Sequence, residues 1–142
     1  MKTVEQILDA KGSDIWSITP DATVFEAVKL MSEKEVGALL VMTGKKLVGI
    51  VSERDYARKV ILNAKSSKET SVQDIMTTRV VYASPDQSIE QCMALMTEKR
   101  IRHLPIMDGK RLCGMLSIGD LVKAIIAEQK LVIKELERYI SG

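Results

Sequence analysis

Two short stretches carry the side chains best suited to chemistry. Ser52-Glu53-Arg54-Asp55 and Ser117-Ile118-Gly119-Asp120 each set a hydroxyl three residues before a carboxylate, directly after an apolar run. A serine that opens a helix accepts from the backbone N–H three residues on, and an aspartate there suits the positive helix end. So placed, the pair is an ordinary helix cap. The same arrangement is also a ready anion site, because a hydroxyl and the first-turn amides converge on one point. A carboxylate one turn into the helix offers two acceptors to a ribose diol. Phosphate and ribose are neighbours in a nucleotide, so this spacing can hold both. Gly49 and Gly114, three residues before each serine, permit close backbone approach.

Other chemistry is narrowly bounded. The chain has one histidine, His103, and two cysteines, Cys92 and Cys113, with no CxxC spacing. A zinc site draws on about four N/S ligands, so no metal is expected. Neither GxxxxGK[ST] nor GxGxxG occurs. With no base–nucleophile pair either, the reading is that the protein is not an enzyme. A net charge of +2 gives no electrostatic ground for nucleic acid. No apolar run nears the roughly 20 residues of a membrane span, and the N-terminus shows no signal-peptide core. Unpaired cysteines suit a reducing, cytoplasmic setting. Cys92 and Cys113 read as apolar core positions.

The elements that must position the two motifs are themselves repeated. At an offset of 65 residues, 15–61 lies over 80–126 without a gap. Pro20-Asp21 meets Pro85-Asp86, Leu30-Met31 meets Leu95-Met96, Gly44-Lys45 meets Gly109-Lys110, and Ser52 with Asp55 meets Ser117 with Asp120. Each copy reads as a short strand (15–18 or 80–83), then a helix opened by the capping boxes at Thr23 and Ser88. An apolar strand (38–42 or 103–107), a tight turn and a return strand (47–51 or 112–116) follow, leading into the motif helix. Residues 63–71 form the one linker-like stretch, and residues 4–8 resemble 72–76 ahead of each copy. The domains are therefore expected at 1–70 and 71–142. The last helix, 121–140, is amphipathic and longer than a small domain needs for its own cover, which suits a dimer interface.

This tandem grammar, with Gly49 to Asp55 and Gly114 to Asp120 both reading glycine, apolar pair, Ser, two variable residues, Asp, resembles the cystathionine-β-synthase (CBS) domain pair, or Bateman module. Ile101-Arg102-His103-Leu104-Pro105-Ile106 is similar to the family's second-repeat strand. The resemblance covers nearly the whole chain. It implies an α/β fold of two tandem CBS repeats, each a small sheet packed with helices, related by pseudo-two-fold symmetry. It further implies non-catalytic regulation through an adenosine ligand (AMP, ATP, NAD(H) or S-adenosylmethionine) bound in clefts between the repeats. Ser52 and Ser117 would contact phosphate and Asp55 and Asp120 ribose. The strand starts, Val36, Gly37 and Ala38 in one repeat and Ile101, Arg102 and His103 in the other, would line base or phosphate. Arg54 and Gly119 complete the ligand-binding set. Arg102 and His103 bring positive charge, so the Asp120 cleft is expected to bind more tightly. Trp16 is read as packing near the adenine pocket's edge. A homodimer and a regulated partner protein in trans are implied; the alternative is an interaction scaffold with degenerate clefts.

Overall fold

The computed structural model describes residues 2–12 and 14–141. Two compact units form, Ile15–Val81 and Met1–Asp14 with Tyr82–Gly142. This division differs from the expected 1–70 and 71–142, because the segment leading each repeat packs with the other one.

In the unit of residues 15–81, the order is β1 (Ser17–Ile18), α2 (Val24–Lys34), β2 (Ala38–Thr43), β3 (Lys46–Ser52) and α3 (Glu53–Tyr56), which continues as a π-helical turn over Ala57–Ile61. The sheet runs β1-β2-β3, with β1 parallel to β2 and β2 antiparallel to β3. Thr23 caps α2, its hydroxyl accepting from the Glu26 N–H, but the Glu26 side chain does not return the bond, so the expected capping box is only half made. The next two orphan amides are met by the segment read as a linker: Val24 N–H donates to Thr70 O and Phe25 N–H to Ser67 O. Residues 63–71 are therefore fastened to the unit, and Thr70 is buried. Val24, Ala27, Met31, Leu39, Val41 and Val51 make the core, joined by Val72 and Ile75 from beyond the linker.

The second unit repeats the plan with α1 (Val4–Lys11), α4 (Ile89–Lys99), β4 (His103–Asp108), β5 (Arg111–Ser117) and α5 (Ile118–Ser141). Helix α1 belongs here through Val4 N–H to Gln87 O, Glu5 N–H to Pro85 O and Ile89 N–H to Lys2 O. The loops are Gly44-Lys45 and Gly109-Lys110, with the glycines at φ +61° and +62° where side chains are disfavoured.

The strand expected over 80–83 does not form; only Ala83 bridges Ile106. In the first unit, Leu40 N–H donates to Trp16 O. The matching residue of the second unit is Pro105, which has no N–H to offer Val81, so the ladder loses that rung. The glycines also serve a purpose other than ligand approach. A Cβ on Gly49 would meet Met76 Sδ at 2.7 Å and Thr77 O at 2.9 Å, and one on Gly114 would meet Leu8 Cδ2 at 2.9 Å. What comes close is the leading segment, seated directly on β3 or β5.

Candidate functional site

Each motif serine ends a strand and caps the following helix. Ser52 pairs with Ala38 across β2 and β3, and Ser117 with His103 across β4 and β5. The residues just before β2 and β4 also reach the helix starts: Glu53 N–H donates to Gly37 O and Ile118 N–H to Arg102 O. Strand start and helix start are thus locked together by one hydrogen bond in each unit. The helix C-caps Glu35 and Arg100, in left-handed conformation at φ 55° and 54°, turn the chain into Val36 and Ile101 ahead of those strands.

The capping is reciprocal. Asp55 N–H donates to Ser52 Oγ at 3.2 Å, while Ser52 N–H and hydroxyl donate to Asp55 Oδ2 at 2.9 and 3.1 Å. Asp120 N–H donates to Ser117 Oγ at 3.2 Å, and Ser117 N–H to Asp120 Oδ2 at 2.8 Å. Both carboxylates are mostly buried, with side chains 17% and 20% exposed.

Each carboxylate also meets a lysine that the sequence reading missed. Lys59, four residues on, lies 3.3 Å from Asp55 Oδ1 and donates to Ile75 O. The position matching Lys59 in the second repeat is Ala124, so no cation is available from α5 there. Lys11 supplies one from α1, donating to Asp120 Oδ2 and to Met115 O, both at 2.7 Å. Lys59 was within reach of inspection, since Asp–Lys at i,i+4 is a known helix pair. Lys11 stands 109 residues from Asp120, and only the fold brings it in.

Electrostatics revise one expectation. Burial pushes the Asp120 carboxyl up, but the Lys11 hydrogen bond, the Ser117 amide and the Lys11 charge together hold it below its ordinary value. Burial pulls the His103 imidazole below the usual histidine value; the Asp120 charge opposes this, and Lys11 and Arg102 reinforce it. The shift favours the neutral imidazole over the positive charge expected of it. Arg102 and Lys11 are the cations at this end.

The remaining candidates are distributed as follows. Ala38 is buried, Val36, Gly37 and Ile101 are half-buried, and Arg54, Arg102 and Gly119 are exposed. Trp16 packs on the core of its unit with Lys34 Nζ 4.4 Å over its ring. Cys92 is buried, as a core residue should be. Cys113 is only half-buried, because a bulge between Ile106 and Met107 leaves it out of the strand pairing. Among the described residues no cluster of His, Cys, Asp and Glu could hold a metal ion. An open groove of about 810 Å³ in the second unit is lined by Glu5, Asp9, Asp86 and Asp108 with Arg111. It contains neither Ser117 nor Asp120, and its four carboxylates would repel a phosphate.

Two copies of one helix–strand–strand–helix plan, each closing on a Ser-capped helix, define a tandem α/β repeat module. The CBS domain model matches residues 4–62 and 72–127, and the chain belongs to the CBS domain family. It is 44% identical over 138 residues to the CBS domain-containing protein CBSX3, mitochondrial, of Arabidopsis thaliana, covering 94% of this chain and 66% of that one. A putative signal-transduction protein with CBS domains from Burkholderia ambifaria is 56% identical, with a TM-score of 0.87 over 90% of this chain and 96% of that one. The CBS domain pair of protein MJ0100, solved with 5′-methylthioadenosine and S-adenosyl-L-methionine, shares the fold at 22% identity, with a TM-score of 0.79 over 90% of this chain and 98% of that one. No helix among the described residues is long and apolar enough to cross a membrane.

Proposed function

We propose that this chain is a non-catalytic regulatory module that binds an adenosine ligand at its two Ser-x-x-Asp helix starts and signals to a partner protein. The observation that carries the reading is the retention of one construction at both: a mostly buried aspartate beside a helix N-terminus, flanked by a lysine. A helix start with a nearby ammonium suits phosphate, and a carboxylate suits a ribose diol. The adenosine compounds bound by the MJ0100 pair support the ligand class. AMP, ATP, NAD(H) and S-adenosylmethionine all fit, no metal is required, and the setting is the cytoplasm. With the neutral imidazole favoured at His103, the stronger phosphate hold at the Asp120 end rests on Arg102 and Lys11.

A second reading, an interaction scaffold with vestigial sites, is favoured by one observation: both aspartates are already paired within their own units. Thermal unfolding with each adenosine ligand separates the two. A ligand at 100 times its dissociation constant adds about 2.7 kcal/mol, a clear rise in midpoint. Calorimetry should then lose its tighter phase in Asp120→Ala and its weaker phase in Asp55→Ala. No rise with any adenosine compound at millimolar concentration would leave the scaffold reading in place.

A further inference from the structure

Asp120 Oδ2 accepts twice, from the Ser117 N–H at 2.8 Å and from Lys11 Nζ at 2.7 Å. A ribose diol brings two O–H donors, and a carboxylate receives them on both of its oxygens. One of the present donors must therefore give up Oδ2. The serine amide is fixed, since Ser117 pairs with His103 across the sheet and the next N–H, that of Ile118, is held by Arg102 O. Lys11 is the movable one: its side chain is 38% exposed and carries its ammonium on a flexible four-carbon stem. On leaving the carboxylate, that ammonium keeps its bond to Met115 O, two residues before Ser117, and so stays beside the helix start. There Ile118 N–H is taken by Arg102 O and Asp120 N–H by Ser117 Oγ, which leaves the N–H of the exposed Gly119 to an anion.

We propose that the Asp120 end selects adenosine ligands bearing a 5′-phosphate over S-adenosylmethionine. Lys11 is the selecting residue, passing from the Asp120 carboxylate to the phosphate as the ribose diol takes its place. The selection rests on the nucleotide reading of the same site and narrows it to one ligand class. S-adenosylmethionine carries a sulfonium cation on the carbon where a nucleotide carries its phosphate. That cation would stand among Lys11 and Arg102, with Asp120 alone to offset all three charges. The Asp55 end is built differently. Its cation, Lys59, stems from a position one turn beyond the carboxylate, and Gly37 stands where the second repeat has Arg102. The preference belongs to the Asp120 end.

Calorimetric titration of the full chain carrying Asp55→Ala, which leaves only the Asp120 end to read, tests this with AMP, adenosine and S-adenosylmethionine. Should that variant fail to fold by circular dichroism, the tighter phase of the unaltered chain is read instead. AMP should bind at least about tenfold more tightly than either other compound, the size of one charge-assisted hydrogen bond. Lys11→Met should remove that margin and leave adenosine unchanged or tighter, because its hydroxyls no longer displace an ammonium. Lys11→Arg should restore most of the margin. A margin that survives Lys11→Met overturns the proposal, as does tighter binding of S-adenosylmethionine than of AMP. AMP and adenosine weakening together would leave Lys11 only the task of positioning Asp120, and a margin lost equally with arginine would make packing its cause; either refutes the exchange. Binding of no adenosine compound to the unaltered chain is the distinct result in which the nucleotide reading itself fails.

Discussion

Replacing Lys11 with methionine isolates what holds the carboxylate at the start of α5. Methionine keeps an apolar stem and deletes Nζ, and with it the 2.7 Å bonds to Asp120 Oδ2 and Met115 O. A hydrogen bond to a charged group contributes about 1.5–3 kcal/mol, and solvent screening reduces that for an exposed partner. The Lys11 side chain is 38% exposed, so the loss should be about 1–2 kcal/mol for the two contacts together. In a chain of this size the unfolding midpoint should fall by about 3–7 °C.

The pH dependence gives a sharper test. Because the folded Asp120 carboxyl lies below its ordinary value, its contribution is fully present above the unfolded value, about pH 4, and is lost as pH falls through the folded one. In Lys11→Met, burial is opposed chiefly by the Ser117 amide, so the carboxyl should titrate higher. Carbon-detected NMR of the Asp120 carboxyl reads this directly. Calorimetry at pH 7 and near pH 3 should show the gap between the two proteins narrowing in acid. An unmoved Asp120 titration would refute the ion-pair account. A gap of equal size at both pH values would place the effect of Lys11 in its stem.

Two further predictions come from the same geometry. His103, held below its ordinary value mainly by burial, should cost stability as pH falls from about 6.5 through its folded value, because the unfolded chain takes the proton first. His103→Gln should flatten the midpoint between about pH 7 and pH 5, and a wild-type midpoint already flat there would contradict it. Gly49→Ala should destabilise by about 1–3 kcal/mol, since its Cβ meets the Thr77 carbonyl as well as Met76, whereas Gly114→Ala meets only the movable tip of Leu8 and should cost less. Denaturant midpoints of equal size would refute that ordering.

Much of the fold was legible because its signals are local and occur twice. The capping boxes at Ser52 and Ser88 involve residues three apart, and the turn glycines mark both hairpins. The strand at 80–83 failed for a reason that was also in view: Pro105 stands where Leu40 donates. What could not be read was non-local. Nothing in residues 4–11 says that they pack beside 82–141 rather than on the repeat they precede, since apolar periodicity specifies a buried face without naming its partner. The same ignorance hid Lys11, and it led His103 to be counted as a cation. A histidine's charge depends on how deeply the fold buries it.

The two motif ends, so alike in sequence, are held by different means, and a single repeat position explains the difference. Where the first copy has Lys59 the second has Ala124, buried against its own unit. A lysine in that place would have to leave the core to reach its aspartate, so the cation comes from elsewhere. At Asp55 it belongs to the same helix, and pairing there costs little chain entropy beyond the helix itself. At Asp120 it belongs to α1, which is fixed by backbone bonds to Pro85 and Gln87 and by the seat of Leu8 on Gly114. Loss of charge at Asp55 therefore stays within one helix and its neighbour at Ile75. Loss of charge at Asp120 leaves Lys11 only its bond to Met115 O and removes a tie between α1 and the start of α5. At the first end the carboxylate reaches a separate segment only through Lys59 and the Ile75 carbonyl, whereas at the second it bonds directly to a side chain of another helix. On the proposed reading that second end is where an arriving ligand has something to move.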